Sequence, residues 1–452
     1  MMTLADVAAW TGGHRRGEAR IEGVSTDTRG LEPGSLFVAL KGPRFDGHRF
    51  LAEAAEAGAA AALVEAGHET ALPRVEVTDT GRALLDMARA WRLRSAARVV
   101  AVTGSCGKTT VKDLIAAALS AQAPERVRVT PGNWNNTVGM PLTLLGLAEH
   151  HRYAAVEVGI NRPGEMALLA HTAAPDVAVI TNAAPAHLEG LGSLEAVAAE
   201  KGRLLAGLGP DGVAVINADS PFAEQWAAAA PGAVVRFGLE ADADIRGEWQ
   251  PEGDGGRLRV ATPDGEIGLA LPLPGWHNAA NALAALAVAQ ALRMDLERAA
   301  AGIETVKPAP GRLQIRSGPG GLTVLDDTYN ANPGSLMAAL DVLTEQQGRH
   351  WTVLGDMGEL GDEGAAWHAQ AGQAARQRGV DRLIGVGRLA AHATEAFGPG
   401  ARTVADWQEA AAILVNEAAS GDRVLIKGSR SMGMERLVAQ LVTETGEKGA
   451  CG

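Results

Sequence analysis

Around position 100 the chain reads as an apolar strand, a glycine-rich turn and the start of a helix. Residues 99–103 lead into Thr103-Gly104-Ser105-Cys106-Gly107-Lys108-Thr109-Thr110, after which Val111, Leu114 and Ile115 recur at helical spacing. A turn of this kind leaves backbone N–H groups and a helix N-terminus free to cradle phosphates. Lys108 adds a point charge, and Thr109 adds a hydroxyl suited to Mg²⁺. The bland alternative is a glycine turn that happens to contain lysine, and the strand-to-helix context disfavours it. A Walker A loop would carry its first glycine where this chain has Val102, so the loop is a compact variant. Its expected nucleotide contacts are Gly104, Ser105, Cys106, Gly107, Lys108, Thr109 and Thr110.

Further apolar runs at 154–158, 177–181 and 213–217 are separated by stretches such as 194–205 that read as helices, the alternation of a mostly parallel sheet. Past Pro308-Ala309-Pro310-Gly311, strand-like runs at 322–325, 351–354, 382–386 and 423–426 repeat the pattern in a second α/β unit. The segment before both is smaller and rich in turn signals. A chain of 452 residues is long enough for several cores. The expectation is an α/β protein of three domains, at 1–82, 83–311 and 312–452, with a hairpin around Pro263-Asp264-Gly265.

Charge narrows the partners. With 41 Lys+Arg against 53 Asp+Glu the net charge is -12, so no broad basic surface is expected for nucleic acid or membrane. The two cysteines, Cys106 and Cys451, make no disulfide framework. Residues 1–10 have no basic lead, and no apolar run approaches about 18 residues. The expectation is a cytoplasmic monomer whose anionic substrate is held by a local site.

Other polar residues fall where parallel strands end, the usual ligand crevice of an open α/β sheet. Glu157 closes one strand and His187 follows another; alone, they read as a solvated strand end and a loop histidine. Lys201 lies on a helix opened by Ser193, ordinarily a place for a snorkelling surface lysine. Asn278 and Asn281 share a helix face and suit the hydrogen-bonding edge of adenine, or else serve as a cap. Arg312, the run Asp326-Asp327-Thr328-Tyr329-Asn330-Ala331-Asn332-Pro333, and Lys427-Gly428-Ser429-Arg430 could close over a nucleotide from the second α/β unit.

Taken in order, these motifs resemble the Mur ligase family over nearly the whole chain. The resemblance also rests on Ser25-Thr26-Asp27-Thr28-Arg29, Lys41-Gly42, Asp46-Gly47-His48, Asn133-Trp134-Asn135-Asn136-Thr137 and Glu200-Lys201. It implies a uridine-nucleotide domain, a central ATPase and a Rossmann-like closing domain. The implied reaction joins D-Ala-D-Ala to UDP-MurNAc-tripeptide with hydrolysis of ATP, through an acyl phosphate. Two Mg²⁺ ions are implied, with Thr109, Glu157, His187 and a carbamylated Lys201 as ligands; Lys108 completes the catalytic set. Asn278 and Asn281 would contact adenine, and Arg312, Asp327 and Tyr329 the ribose and phosphates. Uridine and pyrophosphate contacts fall to Ser25, Asp27, Arg29, Lys41 and His48. Asn135, Asn136, Thr137 and Asn330 would face the substrate, and Lys427 and Arg430 the dipeptide carboxylate. The alternative is the relative that adds a diamino acid to the dipeptide precursor. Its arginine-bearing Asp-Asn-Pro-Arg is here Ala331-Asn332-Pro333-Gly334, which argues against it. Cys106 stands where the family often has a hydroxyl or amide, and a thiol there is expected to be sensitive to thiol reagents.

Overall fold

Three parallel-rich sheets, laid down in chain order, organise the molecule. The computed structural model describes residues 2–43, 45–185 and 188–447. The first sheet has five strands in the order His14–Arg16, Arg74–Val77, Ala61–Glu65, Ser35–Val38, Gly23–Ser25. Only the edge strand His14–Arg16 pairs antiparallel.

The central sheet has nine strands. Arg98–Thr103 lies inside it, between Tyr153–Glu157 and Val177–Ile180, and its apolar residues are buried, as a strand covered by helices on both faces requires. The chain leaves Arg98–Thr103 for the edge strand Val127–Val129, returns to Tyr153–Glu157, then crosses to Val177–Ile180 on the other side. This reversal opens a crevice at the carboxyl ends of the strands. At the far edge Gly255–Thr262 and Gly265–Leu271 form the expected hairpin. There Leu258 and Val260 point inward while Arg257 and Arg259 face solvent, the period of two of a half-buried strand.

The third sheet orders six strands as Gln314–Ser317, Thr323–Asp327, Arg423–Lys427, His350–Gly355, Arg382–Val386, Ala401–Val404, all parallel except the first. Separate apolar clusters fill its two faces, one around Leu336, Leu340 and Leu354, the other around Val424, Leu437 and Leu441.

The first and central sheets share one continuous apolar cluster, which runs from Leu4 and Val75 through Leu84 and Met87 to Leu144 and Leu169. Helix Thr80–Arg94 is its spine. Asp79 caps it by accepting from the Arg82 N–H at 2.9 Å, and Trp91 Nε1 donates to Leu147 O at 2.9 Å. Leu84 and Met87 are wholly buried, and truncating either to Ala should cost about 2–5 kcal/mol. Among the described residues no helix is long and apolar enough to cross a membrane.

Candidate active site

Helix Lys108–Gln122 starts behind Gly107, whose φ of 80° is left-handed and which offers no side-chain cap. The first-turn N–H groups are therefore left for a ligand. Gly107 also meets a close neighbour, because a Cβ there would lie 2.6 Å from Asn281 Oδ1. Gly104 is tighter still, with Thr181 Oγ1 1.9 Å from the position of a Cβ. The loop is held from beneath by the end of Val177–Ile180. The Cys106 N–H donates to Asn182 Oδ1 at 2.9 Å, and its carbonyl accepts from Thr181 Oγ1 at 2.8 Å and Asn182 Nδ2 at 3.1 Å. Ser105 Oγ both donates to and accepts from the Ala184 backbone, so this hydroxyl acts as scaffold. Lys108 Nζ folds back to Gly104 O at 2.8 Å; burial pushes this ammonium below the usual lysine range, while Glu157 opposes the shift.

Thr109 is the meeting point. Its hydroxyl donates to Glu157 Oε2 at 2.8 Å and accepts from Arg312 Nη2 at 2.9 Å. Glu157 is buried at its strand end and accepts at Oε1 from Asn135 Nδ2 at 2.7 Å. A hydroxyl and a carboxylate meeting beside a phosphate loop are hard oxygen donors of the kind Mg²⁺ takes. Lys201 is buried on helix Leu194–Gly202, not snorkelled to the surface. Burial, and then repulsion from Lys108, lowers it to about 7. His187 lies outside the described residues.

Above the loop is a cleft of about 710 Å³ bordered by both larger sheets. Thr110, Asn135, Asn136, Asn278 and Asn281 line it from the central unit. Asn278 Nδ2 donates to Pro274 O at 2.8 Å and its Oδ1 accepts from Asn281 Nδ2 at 3.1 Å, so the two amides brace one another. Gly275, not an asparagine, caps that helix. Asn136 Oδ1 accepts from the N–H groups of Val138 and Gly139, which fixes the following helix, and Thr137 does not border the cleft.

From the third unit, Arg312 stacks over Tyr329 with 4.2 Å between guanidinium and ring. Asp327 accepts from the Leu313 N–H and is ion-paired with Lys427, which also donates to Asn330 O at 2.9 Å. Lys427, expected to meet the dipeptide carboxylate, is buried at the cleft wall and paired with Asp327. Arg430 is exposed, ion-paired with Glu435 at 3.5 Å, lies 5.9 Å from the Tyr329 ring and borders a separate depression. Asn332 caps helix Pro333–Thr344 and accepts from Cys106 Sγ at 3.3 Å, a direct link from loop to third unit.

The first-sheet candidates lie away from this cleft. Ser25 and Asp27 build a turn in which Asp27 accepts from the Arg29 N–H and guanidinium, and Arg29 holds the carboxyl down at about 2. Lys41 is exposed and 4.0 Å from Glu65. His48 is buried, with Nδ1 at 2.6 Å from Asp46 and Nε2 accepting the Glu65 N–H at 2.9 Å.

Sequence reasoning passed over Thr181 and Asn182, which hold the loop, and Asn217 and Asp219, which shape the far end of the cleft. Asn217 Nδ2 donates to Thr181 O, and Asp219 accepts from the N–H groups of Leu239, Glu240 and Ala241. Their signal was available, since Thr181 and Asn182 follow directly on an apolar strand and Asn217 ends one.

Comparison with known proteins covers most of the chain. Residues 20–92 match the Mur ligase family catalytic domain, 102–289 the Mur ligase middle domain, and 311–430 the Mur ligase glutamate ligase domain. The chain is 40% identical to the UDP-N-acetylmuramoyl-tripeptide–D-alanyl-D-alanine ligase of Escherichia coli K12, over 100% of this chain and 99% of that protein. Among solved structures it is similar to MurF from Acinetobacter baumannii, with a TM-score of 0.92 and 34% identity over 97% and 98% of the two chains. MurF from Thermotoga maritima, solved in complex with ADP, matches with a TM-score of 0.86 and 27% identity over 95% and 99%.

Proposed function

This chain belongs to the Mur ligase family, and from that premise we propose that it joins D-Ala-D-Ala to UDP-MurNAc-tripeptide, hydrolysing ATP to ADP and phosphate and giving UDP-MurNAc-pentapeptide. The observation that carries this reading is the meeting of Glu157 and Arg312 at the Thr109 hydroxyl, beneath a cleft shared by the two larger units. Full-length likeness to the E. coli ligase supports the choice of substrates over those of the diamino-acid-adding relative.

The chemistry follows from the weakness of a carboxylate as acyl donor. Its oxygen attacks the γ-phosphorus of ATP, ADP leaves, and an acyl phosphate forms. The amine of D-Ala-D-Ala then attacks the acyl carbon, phosphate departs and the nitrogen loses a proton. Lys108, Arg312 and the N–H groups opening helix Lys108–Gln122 would face the phosphates, so the protein's work would be mainly positioning and charge compensation. Thr109 and Glu157 would hold one Mg²⁺, and His187 with a carbamylated Lys201 a second; bound magnesium would offset charge on the phosphoryl oxygens. The Lys201 value near 7 supports the carbamate, because CO₂ adds only to the neutral amine, which then releases a proton. Asn278 and Asn281 would contact adenine. Residues 1–82 would hold the uridine nucleotide near Ser25, Asp27, Arg29 and Lys41, with residues 83–311 binding ATP and 312–452 closing over it. With such nucleotide substrates the reaction would run in the cytoplasm.

The test is phosphate release from ATP with UDP-MurNAc-tripeptide and D-Ala-D-Ala, omitting each in turn and weighing the product. Release that needs all three and yields the pentapeptide nucleotide supports the reading. Release with a free diamino acid in place of the dipeptide refutes it.

A further inference from the structure

None of the steps above uses Lys112, which lies one turn past Thr109 on helix Lys108–Gln122. It shares a helix face with Ile115 and Leu119, the i, i+3, i+7 spacing at which an apolar side chain packs into a core, and it is buried with them. An ammonium in that place bears a desolvation cost that methionine or leucine would not, so the position is explained by what the nitrogen holds. Lys112 Nζ donates to Thr130 O at 3.1 Å and is paired with Asp113 Oδ1 at 3.0 Å.

Thr130 is a junction. It directly follows the edge strand Val127–Val129, its N–H donates to Ala155 O at 3.0 Å, and its hydroxyl accepts from the Glu157 N–H at 2.9 Å. Past it the chain runs through Asn133, Asn135 and Asn136 at the cleft, where Asn135 Nδ2 reaches Glu157 Oε1 at 2.7 Å. One segment therefore holds Glu157 by its backbone and by its carboxylate, and Lys112 ties that segment to the helix that carries Thr109. We propose, resting on the ATP and magnesium reading above, that Lys112 is a positioning residue: through Thr130 it sets the gap between Thr109 Oγ1 and the Glu157 carboxylate, and so the fit of that pair to a divalent cation. Lys112 does not border the cleft, so its influence on the nucleotide is indirect. Mg²⁺ demands near-ideal ligand geometry, so a small displacement of Glu157 weakens the ion's hold more than it weakens the nucleotide's other contacts.

The experiment measures ADP binding by calorimetry to wild type and Lys112→Met, in EDTA and across a Mg²⁺ titration. Methionine keeps the packing of the buried chain and removes the donor. In EDTA the two proteins should bind ADP equally. The Mg²⁺ concentration that half-saturates the ADP complex should rise about tenfold in Lys112→Met, the low end of the loss on removing a partner behind a metal ligand. Thr130→Val cuts the same link at the Glu157 N–H and should shift that midpoint in the same direction; because the proposal routes Lys112 through this residue, it carries the test if Lys112→Met does not fold. An unchanged midpoint in a folded variant, or an equal loss of ADP affinity with and without Mg²⁺, overturns the assignment and leaves the ligase reading standing. Wild-type protein that binds ADP but does not respond to Mg²⁺ overturns the metal site and this inference with it, and wild type that binds no ADP overturns the ligase reading as well.

Discussion

Thr109 and Arg312 stand 203 residues apart and share one hydrogen bond of 2.9 Å, so a hydroxyl of the phosphate loop is reached by a guanidinium from the third unit. The same guanidinium sits over the Tyr329 ring. Lysine would keep the charge but neither the stack nor the fork. Arg312→Lys should therefore lower kcat/KM for ATP on the order of 10²-fold, the scale of one lost donor to a developing charge. Phosphate-release kinetics unchanged from wild type would remove this arginine from the reaction.

Lys201 yields a prediction about carbon dioxide. If its neutral amine is carbamylated, enzyme held in CO₂-free buffer should lose activity, and bicarbonate should restore it. Lys201→Ala should be inactive and unresponsive to bicarbonate. Full activity after exhaustive CO₂ removal, with mass spectrometry showing an unmodified lysine, would exclude the carbamate.

His277 contributes to acid stability with a definite sign. Its value in the folded protein, about 4, lies below the ordinary 6.5, so between these pH values the unfolded chain binds more protons. Its stabilising contribution is present above pH 6.5 and lost as pH falls towards 4. His277→Phe removes that loss. The melting temperature of the variant minus that of wild type should rise as pH drops from 6.5 to 4, and a difference that stays flat would show that the imidazole charges freely.

Cys106 touches Asn332 across the seam, 3.3 Å from Sγ to Oδ1. An alkyl group on this sulfur would sit between the loop and helix Pro333–Thr344. Treatment with N-ethylmaleimide should inactivate the enzyme, ATP should slow the inactivation, and Cys106→Ser should be active and resistant. Inactivation at the same rate under saturating ATP would place the damage elsewhere.

Much of this site was legible because it is local. A strand, a glycine turn and a lysine-bearing helix are contiguous in sequence, and Glu157 is an acidic end of an apolar strand in the same unit. Lys201 was harder, because nothing in its own helix shows that the fold buries it. Pairing is what only folding supplies. In the fold both ring nitrogens of His48 have partners, Asp46 and the Glu65 N–H, and Arg430 pairs with Glu435, neither of which sequence spacing shows. Thr181, Asn182 and Asn217 brace the loop from positions more than 70 residues away from it, a distance at which strand-end polarity alone gives no partner.

The shared core of the first two sheets has a geometric consequence. With Leu84 and Met87 packed into the same cluster as Leu4 and Leu169, the proposed uridine surface and the phosphate loop are fixed on one frame, like the jaws of a set caliper. A substrate held at that surface would have to span a constant gap for its terminal carboxylate to reach the loop. On this frame the number of residues already on the muramyl chain would be read as a length.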